Sequence, residues 1–272
     1  MAAADVLTAP ADASAAEWVL ANVRDFNYTV GSIVPTVFEA YARVFHPAQR
    51  GLWDASEEVR WTEVAAGNSR VMHPAAEWGS LTGSWQIDSQ PGLWEAAPDV
   101  GRLPAMLGKR LADVLAGLTE LEQGRYGVWE GWGRPALFVP REEVPEEDRQ
   151  HAEEDERRVL REGEVEIAAW RDLLDHAPKF ALPHRTMHLL TGALSAVSAF
   201  YENHRNPPSL WWPEDRAWCV GTDIDLMTTY VGGSRRAIEE LLADEQLEVL
   251  PVSVDQGVTW KADTINPLPE HP

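Results

Sequence analysis

Cysteine is almost absent from this chain. Cys219 is the only one among 272 residues, so no intrachain disulfide can form, and a reducing compartment is the natural setting. Basic residues are scarce as well: 23 Lys and Arg stand against 44 Asp and Glu, a net charge of −21. A surface of that sign repels phosphate backbones and anionic lipid headgroups, which argues against nucleic acid and membranes as partners. It favours solubility and attracts a basic protein. No apolar run approaches the ~20 residues of a membrane span. The stretch from Met1 to Trp18 lacks both a basic start and a strongly apolar core, so it does not read as a signal peptide. A cytoplasmic location is the resulting expectation. The sequence also lacks the phosphate-cradling G-x-x-x-x-G-K-[ST] and G-x-G-x-x-G patterns, the G-x-S-x-G nucleophile elbow and any Cys pair for zinc. No catalytic residue, cofactor or metal is therefore assigned.

Tryptophan, in contrast, is abundant, at 13 copies. Its large ring with one N–H suits cores and interfaces alike. Apolar residues make up 44% of the chain, enough for one large core. The spacing of Trp18, Val19, Val23 and Phe26 predicts a helix over Ala15–Phe26, opened by a capping box at Ser14 and Glu17. The stretch Val37–Phe45 fits either period and leans to a strand on its β-branched and aromatic content. A short helix is expected over Trp61–Ala66, and Gly67–Pro98 reads as mostly loop. The clearest helix is Leu103–Leu121, with Leu107, Leu111, Val114, Leu115 and Leu118 on one face. Strands are expected at Arg125–Gly133, Met187–Leu190, Ala217–Ile224, Met227–Val231 and Leu247–Val254. Helices are expected at Ala193–Tyr201 and, capped by Ser234, at Arg235–Ala243. Strands and helices alternate without a regular βαβ period. The fold class is therefore α+β: a mixed, mostly antiparallel sheet with packed helices and an acidic helical insertion. Residues 1–13 read as a disordered start, 14–265 as a single domain, and 266–272 as a loose tail. The insertion spans 141–169, and its first 26 residues carry 12 acids against 5 bases, the composition of a solvated helix or a mobile insertion.

Candidate site residues cluster in Trp211–Ser234. Trp211 and Trp212 are adjacent and point oppositely in an extended chain, so one is expected inside and the other exposed as an interface anchor. Asp215 and Arg216 are spaced to pair and order a loop. On a strand, Asp223 shares a face with Cys219 and Gly221, with Asp225 next to it at the turn, and Tyr230 follows on the next strand. Two neighbouring carboxylates fit acid–base work or a hard cation, but equally a solvated turn. Trp129 and Trp132 flank Glu130 in a platform suited to stacking, or in a plain strand end. His184 and His188, four apart, would clamp zinc only on a helix, and this segment reads as strand. Cys219 reads as a small buried hydrophobe. Val231–Ser234 before a helix is a weak anion nest.

The patterns VWEGWG (Val128–Gly133), LPHRTMHLLTG (Leu182–Gly192) and WWPEDRAWCVGTDIDLMTTYVGGS (Trp211–Ser234) resemble a family of uncharacterised actinobacterial proteins. That family has no assigned activity, so the resemblance implies no catalytic residue. As a class, a Trp-rich acidic α+β chain is also similar to the immunity proteins of bacterial toxin systems, an analogy at the level of fold and charge alone. Two expectations result. One is a non-catalytic, immunity-like or regulatory binding module for a basic protein, using Trp129, Trp132, Trp211, Trp212, Asp215, Arg216, Asp223, Asp225 and Tyr230. The alternative is an enzyme of unrecognised type, with a pocket between the Trp129–Trp132 corner and Asp215–Asp225.

Overall fold

A computed structural model describes residues 6–25, 27–51, 56–132, 149–201 and 206–269. In chain order its elements are β1 (Leu7–Thr8), α1 (Glu17–Asn22), β2 (Ala40–Phe45), β3 (Ala48–Arg50), β4 (Glu57–Val59), α2 (Trp61–Gly67), α3 (Trp78–Thr82) and α4 (Ala105–Ala116). Then follow β5 (Gln123–Trp129), α5 (Arg149–His176), β6 (Lys179–Leu182), β7 (Arg185–Ala193), β8 (Leu210–Pro213), β9 (Trp218–Thr222), β10 (Thr228–Gly233), α6 (Arg235–Leu242) and β11 (Val249–Val252). The main sheet runs β1-β7-β5-β8-β9-β10-β2-β11, with β6 also paired to β7. Every pairing in it is antiparallel, as the α+β expectation has it.

Both faces of this sheet are covered. On one face Ala42, Val44, Tyr126, Val128, Trp211, Trp218, Val220 and Val231 meet α4 through Leu107, Leu111 and Leu115, α5 through Trp170, and α6 through Ile238 and Leu241. On the other, Trp212, Cys219, Leu210 and Met187 meet the N-terminal segment through Trp18 and Val19. Two-sided burial is why strands β8, β9 and β10 are buried at every position. It also corrects the expectation for Trp211 and Trp212. They do point oppositely, but each is 1% exposed. Trp211 meets Trp218 edge-on at 5.1 Å between ring centroids, and Trp212 meets Trp18 at 5.9 Å.

Several boundaries differ from expectation for identifiable reasons. The N-terminal segment is anchored before Ser14: Leu7, fully buried, pairs with Gly192. Ser14 makes no helix cap, because its hydroxyl bonds to Asp12 (2.5 Å) instead. A 3₁₀ turn precedes α1, which stops at Asn22. The small-residue segment Leu194–Tyr201 winds as 3₁₀ rather than α. α4 begins after Pro104, which stands at the cap itself. Ser234 caps α6 as expected, accepting from the Ala237 N–H. The tail is pinned at its start: Asn266 is buried and its amide bonds both backbone groups of Val71. Phe26, Gly133 and residues 141–148 of the acidic stretch lie outside the described residues. From Arg149 that stretch is helical and runs unbroken into α5, which buries Ile167 and Trp170.

The burial of Trp211 generates a stability test. Trp211→Ala is expected to cost about 3–5 kcal/mol, the range for truncating a large aromatic residue in a core. Urea denaturation would measure it. A loss below about 1 kcal/mol would mean that Trp211 is not the core residue described here.

Candidate functional site

At one end of the sheet the chain leaves regular structure. After α2, the segment from Asn68 to Gly101 crosses over the sheet end and carries α3. An aromatic ladder holds it there. Phe45 meets Trp61 at 5.0 Å, Trp61 meets Trp78 at 5.1 Å, and Trp78 meets Trp94 at 5.2 Å. These rings, with Val59, Val64 and Leu81, form a core of their own. Trp78, Leu81 and Trp94 of this core fall in the stretch expected to be mostly loop, because large residues spaced without a period carry no helix or strand signal.

The polar centre of the region is Arg43. It sits on β2 opposite Tyr230 of β10 and is 2% exposed. Four of its N–H groups are used. Nε donates to Thr228 Oγ1 (3.2 Å), Nη1 to the carbonyls of Pro74 (3.0 Å) and Ala76 (2.9 Å), and Nη2 to Glu77 Oε1 (3.0 Å). The guanidinium also lies 4.9 Å from the Phe45 ring centroid and 5.9 Å from that of Tyr230. A buried charge must be paired and hydrogen-bonded, and Arg43 is both. Its partners all come from the crossing segment or from β10, so one side chain ties the irregular segment to the sheet.

A second polar anchor lies beside it. The buried Asp263 accepts from His73 Nε2 (2.9 Å), from the backbone N–H groups of Ile265 (3.0 Å) and Asn266 (2.8 Å), and from Asn266 Nδ2 (2.9 Å). Burial pushes its carboxyl up, but these hydrogen bonds outweigh burial and hold it below the ordinary range. Asp263 thus fixes the segment that carries Val258, Thr259 and Trp260 against the crossing segment.

Between these walls is a cavity of about 520 Å³, in the size range of small-ligand sites. Five aromatic side chains line it: Tyr28, Trp61, Trp78, Trp85 and Trp260. Trp85 and Trp260 meet edge-on at 5.7 Å. Gly79 permits the close approach of Trp85, since a Cβ there would stand 2.1 Å from its ring. Three carboxylates also line the cavity, from Glu77, Asp223 and Asp225. Asp223 and Asp225 belong to the β9–β10 turn, which Gly101 holds from outside. Gly101 has φ +75, its N–H donates to Leu226 (2.8 Å), and a Cβ would collide with the Ile224 carbonyl.

The three carboxylates differ. Asp223 is buried and ion-paired to Arg185. Glu77 gives Oε1 to Arg43, while no hydrogen bond engages its Oε2 among the described residues. Burial pushes the Glu77 carboxyl up to about 7, against the pull of Arg43. Asp225 is exposed, and no ion pair or hydrogen bond engages its side chain among the described residues. With Glu77 ionised, two pairs cancel and Asp225 leaves one negative charge over.

The expected site residues separate into groups. Asp223, Asp225 and the cavity belong together, and Tyr230 lies beneath them as a ring under Arg43. Trp129 and Trp132 meet edge-on at 5.5 Å, with Glu130 bonded to Lys179 (2.5 Å); none of the three lines the cavity. Asp215 and Arg216 do not pair. Asp215 accepts from Thr119 Oγ1 (2.6 Å) and the Ala217 N–H (3.0 Å), while Arg216 lies over the Trp18 ring. The pocket expected between Trp129–Trp132 and Asp215–Asp225 is therefore displaced to the Asp223–Asp225 end alone. His184 occupies the β6–β7 turn with φ 62, whereas His188 is on β7. Cys219 is fully buried, as its reading has it. No group of three His, Cys, Asp or Glu side chains among the described residues is arranged to hold a metal. No family model, curated protein or solved structure matches the chain, so the site has to be read from its own chemistry.

Two tests come from the buried charges. Arg43→Met leaves Glu77 buried and unpaired, at a cost of about 3–5 kcal/mol, and the double variant Arg43→Met/Glu77→Met is expected to recover part of it. Urea denaturation of the four proteins in the cycle checks this. The second concerns pH. Glu77 is raised in the fold, so its contribution is present below its ordinary pKa of 4.5 and lost as pH rises through about 7. His46, fully buried with Nε2 against Thr229 Oγ1 and Nδ1 against the Asp99 carbonyl, is lowered by burial to about 4. Its contribution is present above 6.5 and lost as pH falls through about 4. The two oppose each other on acidification. Glu77→Gln removes the favourable one, so its melting temperature is expected to fall more steeply than that of wild type between pH 7 and 5. Parallel profiles would rule out the raised Glu77.

Proposed function

We propose that the chain is a non-catalytic binding protein of the cytoplasm that recognises a basic protein partner. The observation that supports this best is the cavity at the sheet end, with aromatic walls and an Asp225 that has no ion pair among the described residues, on a chain of net charge −21. Complementary charge steers encounter, and aromatic anchors in a pocket supply the tight contact. The contact surface in this reading is not the one the sequence suggested. Trp211, Trp212 and Tyr230 are each 1% exposed and serve the core. The accessible rim is Tyr28 at 55%, Trp260 at 36%, and Asp225. No helix among the described residues is long and apolar enough to cross a membrane.

The alternative remains an enzyme of unrecognised type. What favours it is Glu77, a carboxyl near neutrality lining the cavity, the range useful for general acid–base work. Against it, the lining holds no cysteine, lysine or histidine.

The binding reading predicts a stoichiometric basic partner in lysate of the native host when the protein is used as bait at about 50 mM salt. That partner should elute by about 500 mM, because screening over a Debye length removes the steering charge. Asp225→Asn and Trp260→Ala baits should retain little of it. Recovery of no stoichiometric partner at low salt, or retention by both variants equal to that of wild type, would count decisively against the proposal.

A further inference from the structure

We infer that the cavity at the sheet end is a recognition site for one organic ammonium group, whose apolar body lies against the Trp rings and whose charge is set by Asp225. The inference rests on the binding reading above and specifies what that site recognises.

Three observations converge on it. The first is shape and lining. Tyr28, Trp61, Trp78, Trp85 and Trp260 surround about 520 Å³ of space, and the faces of such rings attract cations. The same chain already uses that attraction nearby: Lys261 Nζ stands 4.7 Å from the Trp260 ring centroid, and Arg43 lies over Phe45, Trp61 and Tyr230.

The second is charge. Of the lining carboxylates, Asp223 is neutralised by Arg185 and Glu77 by Arg43. Asp225 has no ion-pair partner among the described residues, so above about pH 7, where Glu77 is ionised, the lining has one negative charge in excess and suits a monocation. Anions are disfavoured, because the one lining cation, Arg43, is 2% exposed and has four of its N–H groups engaged.

The third is the unused acceptor. Glu77 Oε2 has no partner among the described residues, and Glu77 lines the cavity. An ammonium N–H can donate there without disturbing the Arg43 pair. Two sources carry an organic ammonium charge: a free compound and a lysine side chain of a protein. A quaternary ammonium has no N–H and would use the rings and Asp225 without the Glu77 Oε2 bond.

The test titrates the full chain with three probes, read by tryptophan fluorescence and calorimetry. The probes are choline, its neutral isostere 3,3-dimethylbutan-1-ol, and Nα-acetyl-lysine methylamide. At least one cation should bind saturably and about tenfold or more tighter than the neutral alcohol, the effect of a partly desolvated cation–π contact with one ion pair. Asp225→Asn should weaken that cation about tenfold and leave the alcohol unchanged. Trp260→Phe should retain more binding than Trp260→Ala. Both positions are accessible, so unchanged melting temperatures should verify that the variants fold. Preference for choline identifies a free compound as the source, and preference for the lysine derivative identifies a protein side chain. Equal binding of cation and alcohol overturns the inference, as does the absence of saturable binding at tens of millimolar or an Asp225→Asn variant that binds as tightly as wild type. The salt-sensitive partner capture described above is independent of these probes. A protein partner captured alongside silent probes therefore removes the ammonium site and leaves the binding reading intact.

Discussion

The region of the molecule that is not regular sheet or helix depends on one buried guanidinium. Arg43 sits in β2 between the buried Ala42 and Val44, and ionised side chains are rarely placed there unless they are paired and hydrogen-bonded. Here the donors reach Thr228 on the adjacent strand, two carbonyls at Pro74 and Ala76, and Glu77. The carbonyls matter as much as the carboxylate. A segment with few helical or ladder hydrogen bonds has to satisfy its backbone elsewhere, and Arg43 does so for two of its acceptors at once. Asp263 plays the reciprocal part, taking N–H groups from Ile265 and Asn266 together with the His73 ring. A buried cation and a buried anion thus hold two irregular segments in register, and the cavity is the space left between them.

The sheet imposes the complementary constraint. Because α4, α5 and α6 cover one face while the N-terminal segment and residues around Val30–Val34 cover parts of the other, few positions on the central strands remain available for recognition. Antiparallel sheets often leave one face to solvent; this one does not. The aromatic residues of β8 to β10 are consequently structural. The open space is instead at the end of the sheet, where the β9–β10 turn carries Asp223 and Asp225 beyond the last paired residues. The close approach of that turn to Gly101 gives it a fixed position rather than that of a free hairpin tip.

Much of this fold was legible in the sequence where periodicity was strong. The Leu107–Leu111–Leu115 stripe, the paired strands on either side of Asp223–Met227 and the Ser234 cap all follow from local rules. The failures have a common cause. Ser14 had two local partners to choose from and took Asp12, which no capping pattern distinguishes. The adjacent Trp211 and Trp212 predict one exposed ring, because alternation reports that two faces exist and not whether both are covered. The cavity was hidden because Trp78, Trp85 and Trp94 fall in a segment without a period, and their common environment is set by long-range contacts. One signal was available: Arg43 within Tyr-Ala-Arg-Val-Phe, a permanent charge in an apolar strand, which requires a buried acceptor from elsewhere in the chain. Following that requirement leads to Glu77 and so to the cavity wall.

The excess of acidic residues acquires a more specific meaning in this setting. Most of the 44 carboxylates can serve solubility alone. The cavity is different in kind, because its charge balance is set by pairing and not by composition. Arg43 and Arg185 cancel two carboxylates that line it, and the turn leaves the third uncancelled. A like number of acids on an open surface would be screened by salt within about 8 Å. Asp225 is exposed and is screened in the same way, so what distinguishes it is its place at the rim of a cavity lined by five aromatic rings. The global charge and the local cavity therefore act at different ranges. In the function proposed above, the first would draw a cationic partner toward the molecule from solution, and the second would select the group that enters.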